Sequence, residues 1–422
     1  MEKDKILEKI GIKFNPFYLY CITVLIILIL YSFNWSNIYP KLSIYTYIFL
    51  ISTVLISFFV GRVIDKKLDN GCLKITNAKL NLKNSTLIVV VGFIVEFIYA
   101  GCIPLVEILI LKSDFNYLTY TGIPTVHVLL VTFNSFIAIY AFNRYLIDKE
   151  RQTLCLFLVN LLPSILIFNR GMLTMILISC VSTYVLTVMN GFINKKNLLI
   201  LSILGLIFLY CFGIFGNIRS NREYYIGSNV TNSQYIMMVG DASSTFRESI
   251  VPKPFFWGYI YITSPLANLE NTIQNNDGNL NISGDNVNNL LFNSLLPDFI
   301  SNDFNIEPKE PSLITHALTV CTMFVQPYLS LGWFGMIIMF LYWLFIMIAY
   351  RLIVPSNSNF YIVGLSILNT ITMFNLFDNM IVFAGLSFQL VYPILFMFLL
   401  EKGYGEKFVN KFKKLKKVKI GE

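Results

Sequence analysis

Apolar runs separated by short polar connections make up most of the chain, and one polar stretch is far longer than the rest. A helix needs about 20 mostly apolar residues to cross the hydrocarbon core of a bilayer. Windows of that kind predict ten spans, at residues 17–33, 42–60, 86–104, 126–147, 154–168, 172–189, 198–215, 333–350, 360–374 and 380–400. The fifth and ninth are short for a span. We therefore expect an all-α polytopic integral membrane protein, a single membrane domain over residues 1–422 with about ten transmembrane helices.

The long polar stretch covers residues 217–313, 97 positions in all. It carries helix signals of its own. Thr245 to Glu248 has the spacing of a capping box, Ser264 precedes a proline suited to a first turn, and Asp285 can cap a further helix. Five basic side chains stand among ten acidic ones. The pattern predicts one large structured loop, folded as a lid, among otherwise short connections.

The distribution of lysine and arginine predicts the orientation of the chain, because these residues are enriched in cytoplasmic loops. With the N-terminus inside, 24 of the 32 basic residues fall on the inner side and 8 on the outer side. This split predicts that both termini are cytoplasmic and that residues 217–313 form an extracytoplasmic loop. The lysines ahead of the first span indicate a retained signal anchor. The basic tail, residues 401–422, is either an amphipathic helix on the anionic inner leaflet or a simple retention signal.

One segment, residues 312–329, complicates this count because it is moderately apolar but carries His316, Gln326 and Pro327. A full span there would place the lysine-rich tail outside. We therefore predict a re-entrant or surface-lying segment that returns to the outer face. This prediction places His316 on the same side as the long loop.

Composition limits the class of protein. The 422 residues are 56% hydrophobic and 13% charged, with a mean hydropathy of +0.65, which excludes an ordinary soluble domain. The net charge of +8 reflects the inner lysines, so it indicates orientation and not a nucleic-acid partner. The seven cysteines form no CxxC or His-paired cluster, and we expect packing roles with no disulfide and no metal. The chain also lacks P-loop, HExxH, GxSxG and Asp-x-Asp motifs, which disfavours ATPases, metalloproteases and nucleotide-sugar transferases.

Four arginines are candidates for binding an anion near the outer surface. Arg170 lies in the tight turn between the fifth and sixth predicted spans. An arginine at a membrane is costly unless it is paired, which suggests function, although a guanidinium that snorkels and anchors the turn is the alternative. Arg219 and Arg222 would share a face if the seventh span continued as a helix, and they then need an anion or a carboxylate, such as Glu223, between them. Arg247 has an acidic neighbour and a weaker context.

Two histidines and one carboxylate complete the candidate site. His316 lies in the doubtful outer segment, and imidazole suits proton transfer near neutral pH; a hydrogen-bonded structural role is the alternative. His127 begins the fourth span on the outer side and is a second candidate, in a supporting role. Glu96 lies inside the third predicted span, where a carboxylate must be protonated or paired. We expect it to pair with an arginine rather than to act in catalysis.

Several short signatures, combined with the span count and the single large outer loop, resemble one family. These signatures are Glu96-Phe97 leading to Gly101-Cys102-Ile103-Pro104-Leu105, Gly122-Ile123-Pro124 with His127, the Arg170-Gly171 turn, Arg219 with Arg222, and Tyr261 to Leu269 with Ser264-Pro265-Leu266. Over nearly its whole length the chain resembles the bacterial oligosaccharide repeat unit polymerases, the Wzy class of O-antigen and capsule polymerases.

The resemblance implies polymerisation at the outer face of the bacterial cytoplasmic membrane. Repeat units are carried there on undecaprenyl pyrophosphate, and the growing chain passes from its carrier to the non-reducing sugar of a new unit. No cofactor is implied, because the donor is already activated. The arginines would hold the pyrophosphate by electrostatic stabilisation, and His316 would accept the hydroxyl proton, by analogy with related O-antigen ligases. The lipid bilayer, a flippase and a chain-length regulator are the implied partners.

Three other functions stay open from the sequence. An O-antigen ligase uses the same donor with another acceptor. A flippase or other transporter of lipid-linked oligosaccharide is disfavoured by the long outer loop and by the few charges along the inner spans, since a conduit for anionic cargo needs cations deeper in the membrane. A binding or scaffold role in an export complex is the third alternative.

Overall fold

The computed structural model describes residues 12–68, 79–111, 120–224, 229–276, 278, 282–301, 304 and 306–401. The described chain is mostly helical. Two two-residue strands, β1 (Ile12–Lys13) and β2 (Phe192–Ile193), pair antiparallel with Ile12 opposite Ile193. The predicted basic tail lies outside the described residues, except for Glu401.

Of the described helices, seven precede β2, and one long helix comes directly after it. They are α1 (Pro16–Tyr31), α2 (Ile44–Leu68), α3 (Leu82–Ala100), α4 (Pro104–Val106), α5 (Val126–Asp148), α6 (Arg151–Leu166), α7 (Arg170–Val188) and α8 (Lys195–Tyr224). A π-helical turn, Glu107–Leu111, extends α4. Local sequence explains several of the ends. Asn15 caps α1 by accepting from the N–H groups of Phe17 at 3.0 Å and Tyr18 at 3.1 Å, and Gly101 ends α3 with a φ of 70°.

Among the described residues, five further helices lie within the long polar stretch and four follow it. They are α9 (Gln234–Val239), α10 (Ser244–Arg247), α11 (Phe255–Gln274), α12 (Gly284–Leu290), α13 (Asp298–Ser301), α14 (Val325–Ile353), α15 (Tyr361–Phe374), α16 (Ala384–Ser387) and α17 (Val391–Phe396). A π-helical turn, Leu291–Leu295, continues α12. A 3-10 turn, Phe388–Leu390, joins α16 to α17, and a π-helical turn, Met397–Glu401, extends α17.

Apolar helices occupy the positions of all ten predicted spans, but they differ in length. Within the described residues seven helical stretches are long and apolar enough to cross a membrane. Three others, α1, α6 and α15, have 16, 16 and 14 residues. The protein is therefore an all-α, multi-pass membrane protein. The short fifth and ninth predicted spans correspond to α6 and α15.

The chain forms two compact units in its described residues. Unit 1 comprises Met1–Arg62, Phe192–Phe345 and Thr372–Val382, and unit 2 comprises Val63–Gly191, Ile346–Ile371 and Phe383–Glu422. Unit 1 thus contains the whole of the long polar stretch. Unit 2 contains α3 to α7 and most of the last three helical segments.

In unit 1 the long polar stretch folds over a core of its own. Phe246, Phe256, Tyr259 and Ile260 are buried together, with Trp35 packed against them. The apolar faces of the short helices bury these side chains, and this burial holds the stretch in a defined structure. The described part of the stretch therefore contains helices with a buried core, and its role as a lid stays a prediction.

Several helix boundaries in this stretch differ from the sequence expectation. Helix α8 continues through the polar residues to Tyr224, because the end of an apolar run does not end the helix. Ser243, and not Thr245, caps α10 by accepting from the Phe246 N–H. Helix α11 begins at Phe255, so Pro265 lies in its interior. The cap of α12 is Ser283, with Asp285 in the first turn.

Residues 312–324 are not helical, and α14 begins only at Val325. Side chains of α11 bind the backbone of this segment. Asn268 donates to the carbonyls of Leu318 at 2.7 Å and Val320 at 2.8 Å, and its own carbonyl accepts from the Ile314 N–H at 2.9 Å. These bonds satisfy backbone groups that a helix would satisfy internally. Residues 312–324 are therefore irregular, whereas residues 325–329 belong to α14, which is long and apolar enough to cross a membrane. The re-entrant or surface-lying position of residues 312–329 stays a prediction.

In unit 2 hydroxyl and amide side chains connect apolar helices. Ser179 and Thr370 are 2.7 Å apart, Thr183 donates to Ser366 at 2.9 Å, and Asn160 donates to Thr86 at 2.8 Å. Such bonds between helices stabilise an apolar bundle. Lipid tails are as apolar as the helix surfaces, so burial of apolar side chains by itself drives the association of helices only weakly.

Candidate functional site

The helices of unit 2 place several chemically useful side chains at one end of their bundle. Helices α5 and α6 are joined by residues 149–150, and α6 and α7 by residues 167–169, so consecutive helices run antiparallel. Helix α5 packs against α3, α6 and α7. The starts of α5 and α7 therefore lie at the same end of the bundle as the finish of α6. We call this the polar end of unit 2.

A histidine and a glutamate bind each other at the polar end. Nδ1 of His127, in the first turn of α5, lies 2.5 Å from Oε1 of Glu96, which is one turn from the end of α3. The Glu96 side chain is 1% exposed and that of His127 is 29% exposed. The partner of Glu96 is thus a histidine 31 residues away, and the expectation that it pairs with an arginine is wrong. The imidazole can donate from Nδ1 and still reach solvent at its opposite edge.

Gly122 lets the backbone pass close to this pair. A Cβ atom at this position would lie 1.8 Å from Glu96 Oε1 and 2.7 Å from His127 Nδ1. Neither distance is compatible with a real side chain, so a larger residue would displace the carboxylate or the imidazole. Sequence reasoning noted the Gly-Ile-Pro signature but not the reason for the glycine.

Tyr120 is a further member of this cluster that the sequence did not indicate. Its ring lies edge-on to that of His127, with the centroids 6.0 Å apart. Burial, followed by the nearby charge of Glu96, raises the pKa of the Tyr120 hydroxyl well above its ordinary value. The hydroxyl therefore stays protonated at neutral pH. Among the described residues, neither the Tyr120 hydroxyl nor Glu96 Oε2 has a hydrogen-bond partner, although both are buried.

Arg170 is the first residue of α7 and belongs to the same end of unit 2. Its side chain is exposed, and its guanidinium lies over the ring of Phe168 at 5.8 Å. Asn169 caps the helix by accepting from the Met172 N–H at 2.9 Å. A cation at a helix N-terminus is unfavourable, because that end carries partial positive charge. An anion bound there would be stabilised by both the helix end and the guanidinium.

The other predicted site residues lie in unit 1. Arg219 is exposed on α8, and Arg222 follows three residues later on the same helix, with its side chain outside the described part of the chain. Arg247 donates from Nε to the Ala242 carbonyl at 2.7 Å and from one Nη to the Met237 carbonyl at 3.2 Å. These bonds hold the end of α9 and give Arg247 a structural role. Its predicted role in anion binding stays a prediction, as do those of Arg219 and Arg222.

His316 lies in a turn of unit 1 and is exposed. The turn is closed by the Leu318 N–H, which donates to the Thr315 carbonyl at 3.1 Å. Within the described ranges no side chain or backbone group hydrogen-bonds to the imidazole. Among the described residues, one histidine therefore has a carboxylate partner and the other has none.

The described residues contain no group of three or more His, Cys, Asp and Glu side chains that could hold a metal ion. The chemistry available in them is that of a carboxylate-bound imidazole, a protonated phenol and exposed guanidiniums. The fold and these side chains define a helical multi-pass membrane protein with a polar cluster at the end of one helical unit. No family model, no curated protein and no solved structure matches the chain.

Proposed function

We propose that the protein is a glycosyl-transferring polymerase, which joins oligosaccharide repeat units carried on undecaprenyl pyrophosphate into a surface polysaccharide. In this proposal the ten apolar helices are ten spans with both termini inside. The polar stretch of residues 217–313 is then an outer loop, and the reaction takes place at the outer face of the bacterial cytoplasmic membrane. The excess of basic residues on the inner side supports this orientation.

The observation that carries the proposal is the presence of both required chemistries at the polar end of unit 2. Glycosyl transfer from a lipid pyrophosphate needs a group that accepts the acceptor's hydroxyl proton and a cation that stabilises the leaving pyrophosphate. The His127–Glu96 pair suits the first need and Arg170 the second. In a mainly apolar chain with 13% charged residues, their occurrence at one bundle end favours an enzyme over a simple anchor.

The remaining cations have secondary roles in the proposal. Arg219 and Arg222, on one face of α8, are suited to a phosphate or a sugar carboxylate because guanidinium forks bind two oxygens at once. Arg247 already donates to two carbonyls and has fewer hydrogen bonds to offer. A flippase and a chain-length regulator are the proposed partners in the cell.

Deletion of the gene followed by gel analysis of the cell's polysaccharide tests the function. We expect single repeat units in place of a ladder of long chains. A ladder of unchanged length in the deletion strain would refute the proposal.

Reconstitution of the purified protein with lipid-linked repeat units separates the competing functions. A polymerase extends the chains in the absence of lipid A core, whereas an O-antigen ligase requires that acceptor. A transporter moves the units across the vesicle bilayer without lengthening them. We expect products of two or more repeat units and release of undecaprenyl pyrophosphate.

A further inference from the structure

We propose that His127, and not His316, is the general base of the transfer reaction, with Glu96 as the residue that positions it. This inference rests on the proposed function, because it names the proton acceptor of that reaction. Three observations carry it: the atoms that the two side chains present to each other, the depth at which Glu96 lies, and the space that Gly122 leaves.

The hydrogen bond determines which imidazole nitrogen is free to react. An ionised carboxylate can only accept, so Nδ1 of His127 must carry the proton that bridges the 2.5 Å to Glu96 Oε1. Nε2 of the neutral ring then holds the lone pair. The His127 side chain is 29% exposed, and in our proposal a hydroxyl group from outside the helical bundle reaches this nitrogen. An imidazole held in this tautomer by a carboxylate is the arrangement that general bases require.

The burial of Glu96 is costly for stability and therefore points to function. Its side chain is 1% exposed and Oε2 has no partner among the described residues. A purely structural carboxylate at such a depth would normally have all its oxygens bound. Among the described residues, the Tyr120 ring lies edge-on to the imidazole, and the Cys102 thiol is close enough to the Tyr120 hydroxyl to raise its pKa. Neither side chain supplies a cation, and the imidazole of His127 is the group that binds the Glu96 carboxylate.

Gly122 shows that the local backbone is fitted to this pair. The chain passes so near to Oε1 and Nδ1 that no Cβ atom could occupy the position. The same close approach shields the bridging proton from water, and shielding strengthens an electrostatic hydrogen bond. The exposed turn that holds His316 offers no partner of this kind within the described residues.

The acceptor hydroxyl gives its proton to His127 Nε2, and its oxygen forms a bond to the anomeric carbon of the donor. The bond between that carbon and the pyrophosphate oxygen breaks, and its electron pair leaves with undecaprenyl pyrophosphate. The imidazolium that forms is stabilised by Glu96 and later returns its proton to water.

The activity test compares His127→Gln with His316→Gln in membranes that contain equal amounts of protein. We expect His127→Gln to lower the polymerisation rate by about 10²- to 10⁴-fold, the usual contribution of a general base. His316→Gln should stay within about threefold of the original rate, because its imidazole has no orienting group. Normal activity in His127→Gln, or loss of activity in His316→Gln alone, would overturn the assignment.

Glu96→Gln tests the positioning role by separating turnover from substrate binding. Loss of the carboxylate should lower kcat by at least about 10²-fold. The KM for the lipid-linked unit should stay nearly unchanged, because Glu96 orients the imidazole and does not itself touch the substrate. A rate per folded molecule that stays unchanged while the amount of folded protein falls would show that Glu96 only supports the fold, and the positioning role would then be refuted.

A measurement independent of activity separates this inference from the proposed function. The chain has two histidines, so His316→Gln leaves His127 as the only one, and ¹⁵N-histidine NMR in nanodiscs then reports on it directly. We expect the neutral ring to carry its proton on Nδ1, and this preference to be lost in Glu96→Gln. A proton on Nε2 would refute the proposed geometry whatever the reaction. If NMR shows the expected tautomer but the deletion strain keeps its ladder of long chains, the polymerase function is refuted and the proposed geometry of the His127–Glu96 pair is not.

Discussion

Two sets of polar side chains, one in each unit, differ in what they bind. Asn268 and Arg247 of unit 1 bind backbone: Asn268 holds residues 312–324, and Arg247 holds the end of α9. Elsewhere in the long polar stretch, Asn293 and Ser294 have buried polar atoms without a partner among the described residues, so the comparison concerns these two sets and not the whole units. At the polar end of unit 2, Glu96 and His127 bind each other, and two buried oxygens, Glu96 Oε2 and the Tyr120 hydroxyl, have no partner among the described residues. Satisfied polar groups stabilise a fold, whereas incompletely satisfied ones are tolerated mainly where function needs them.

This difference predicts that mutations in the two places affect different properties, stability in one and activity in the other. Substitutions in the polar stretch should lower stability and leave the activity per folded molecule nearly unchanged. Substitutions at the polar end should lower activity and change stability little. The largest effect is expected on the activity of an Arg170 variant, and the smallest on the stability of a Tyr120 variant.

Arg170→Ala should lower the polymerisation rate by about 10²- to 10³-fold, the usual cost of removing one group that stabilises a developing negative charge. Its control is Arg247→Ala, which removes a guanidinium of unit 1 that already binds two carbonyls. We expect this control to unfold at lower temperature and to lose much less of its rate per folded molecule than Arg170→Ala. Equal losses of activity in the two variants would remove the distinction between the units.

Gly122→Ala should lower the rate by about 10²-fold, because the added methyl group displaces the carboxylate or the imidazole, and small misplacements of catalytic groups cost that much. Gly205→Ala is the matched control, since a Cβ at that position in α8 has no neighbour within 4 Å. The control should keep full activity. Assays of both variants in the same membranes make the comparison, and an active Gly122→Ala enzyme would contradict it.

Asn268→Ala should destabilise unit 1 by about 2–3 kcal/mol, because three buried or partly buried backbone groups lose their partner. Asn276→Ala, which removes one bond from an exposed side chain to the Thr272 carbonyl, should change stability by less than about 0.5 kcal/mol. Thermal unfolding in detergent measures both. An Asn268→Ala protein of unaltered thermal stability would show that residues 312–324 are held by other contacts.

Tyr120→Phe should stabilise the protein slightly, by about 1 kcal/mol, because it removes a buried hydroxyl that has no described partner. Thermal unfolding should therefore show a small rise in the midpoint. If the midpoint falls instead, the hydroxyl has a stabilising partner, and the contrast between the two units is weaker than we infer.

Hydropathy predicted the main elements, since each predicted span falls on an apolar helical stretch, but α2, α8 and α14 extend well beyond their predicted limits. Hydropathy did not predict the ends of helices that continue through polar residues. Helix α8 extends past the end of its apolar run to Tyr224, and α11 begins at Phe255, ahead of Ser264 and Pro265. In both cases packing in unit 1 extends a helix beyond what local signals indicate.

The candidate site was less predictable than the fold, for a physical reason. Glu96, Gly122 and His127 were all noted in the sequence, but their relation depends on which helices pack together. Helix α3 and α5 are separated by a long connection, and nothing in the intervening residues shows that Nδ1 meets Oε1. Tyr120 had no signal of its own. The role of Gly122 depends on an approach between backbone and side chain that only coordinates reveal.

Gly122 also provides a way to recognise related chains whose overall similarity has been lost. The geometry demands a glycine five residues ahead of a histidine, and a glutamate 26 residues before that glycine within an apolar run. Drift can replace most lipid-facing residues in such a protein at little cost, but these three positions constrain one another. A divergent membrane protein that keeps all three at similar spacing would be a candidate for the same chemistry, and one that replaces the glycine should have lost the carboxylate as well.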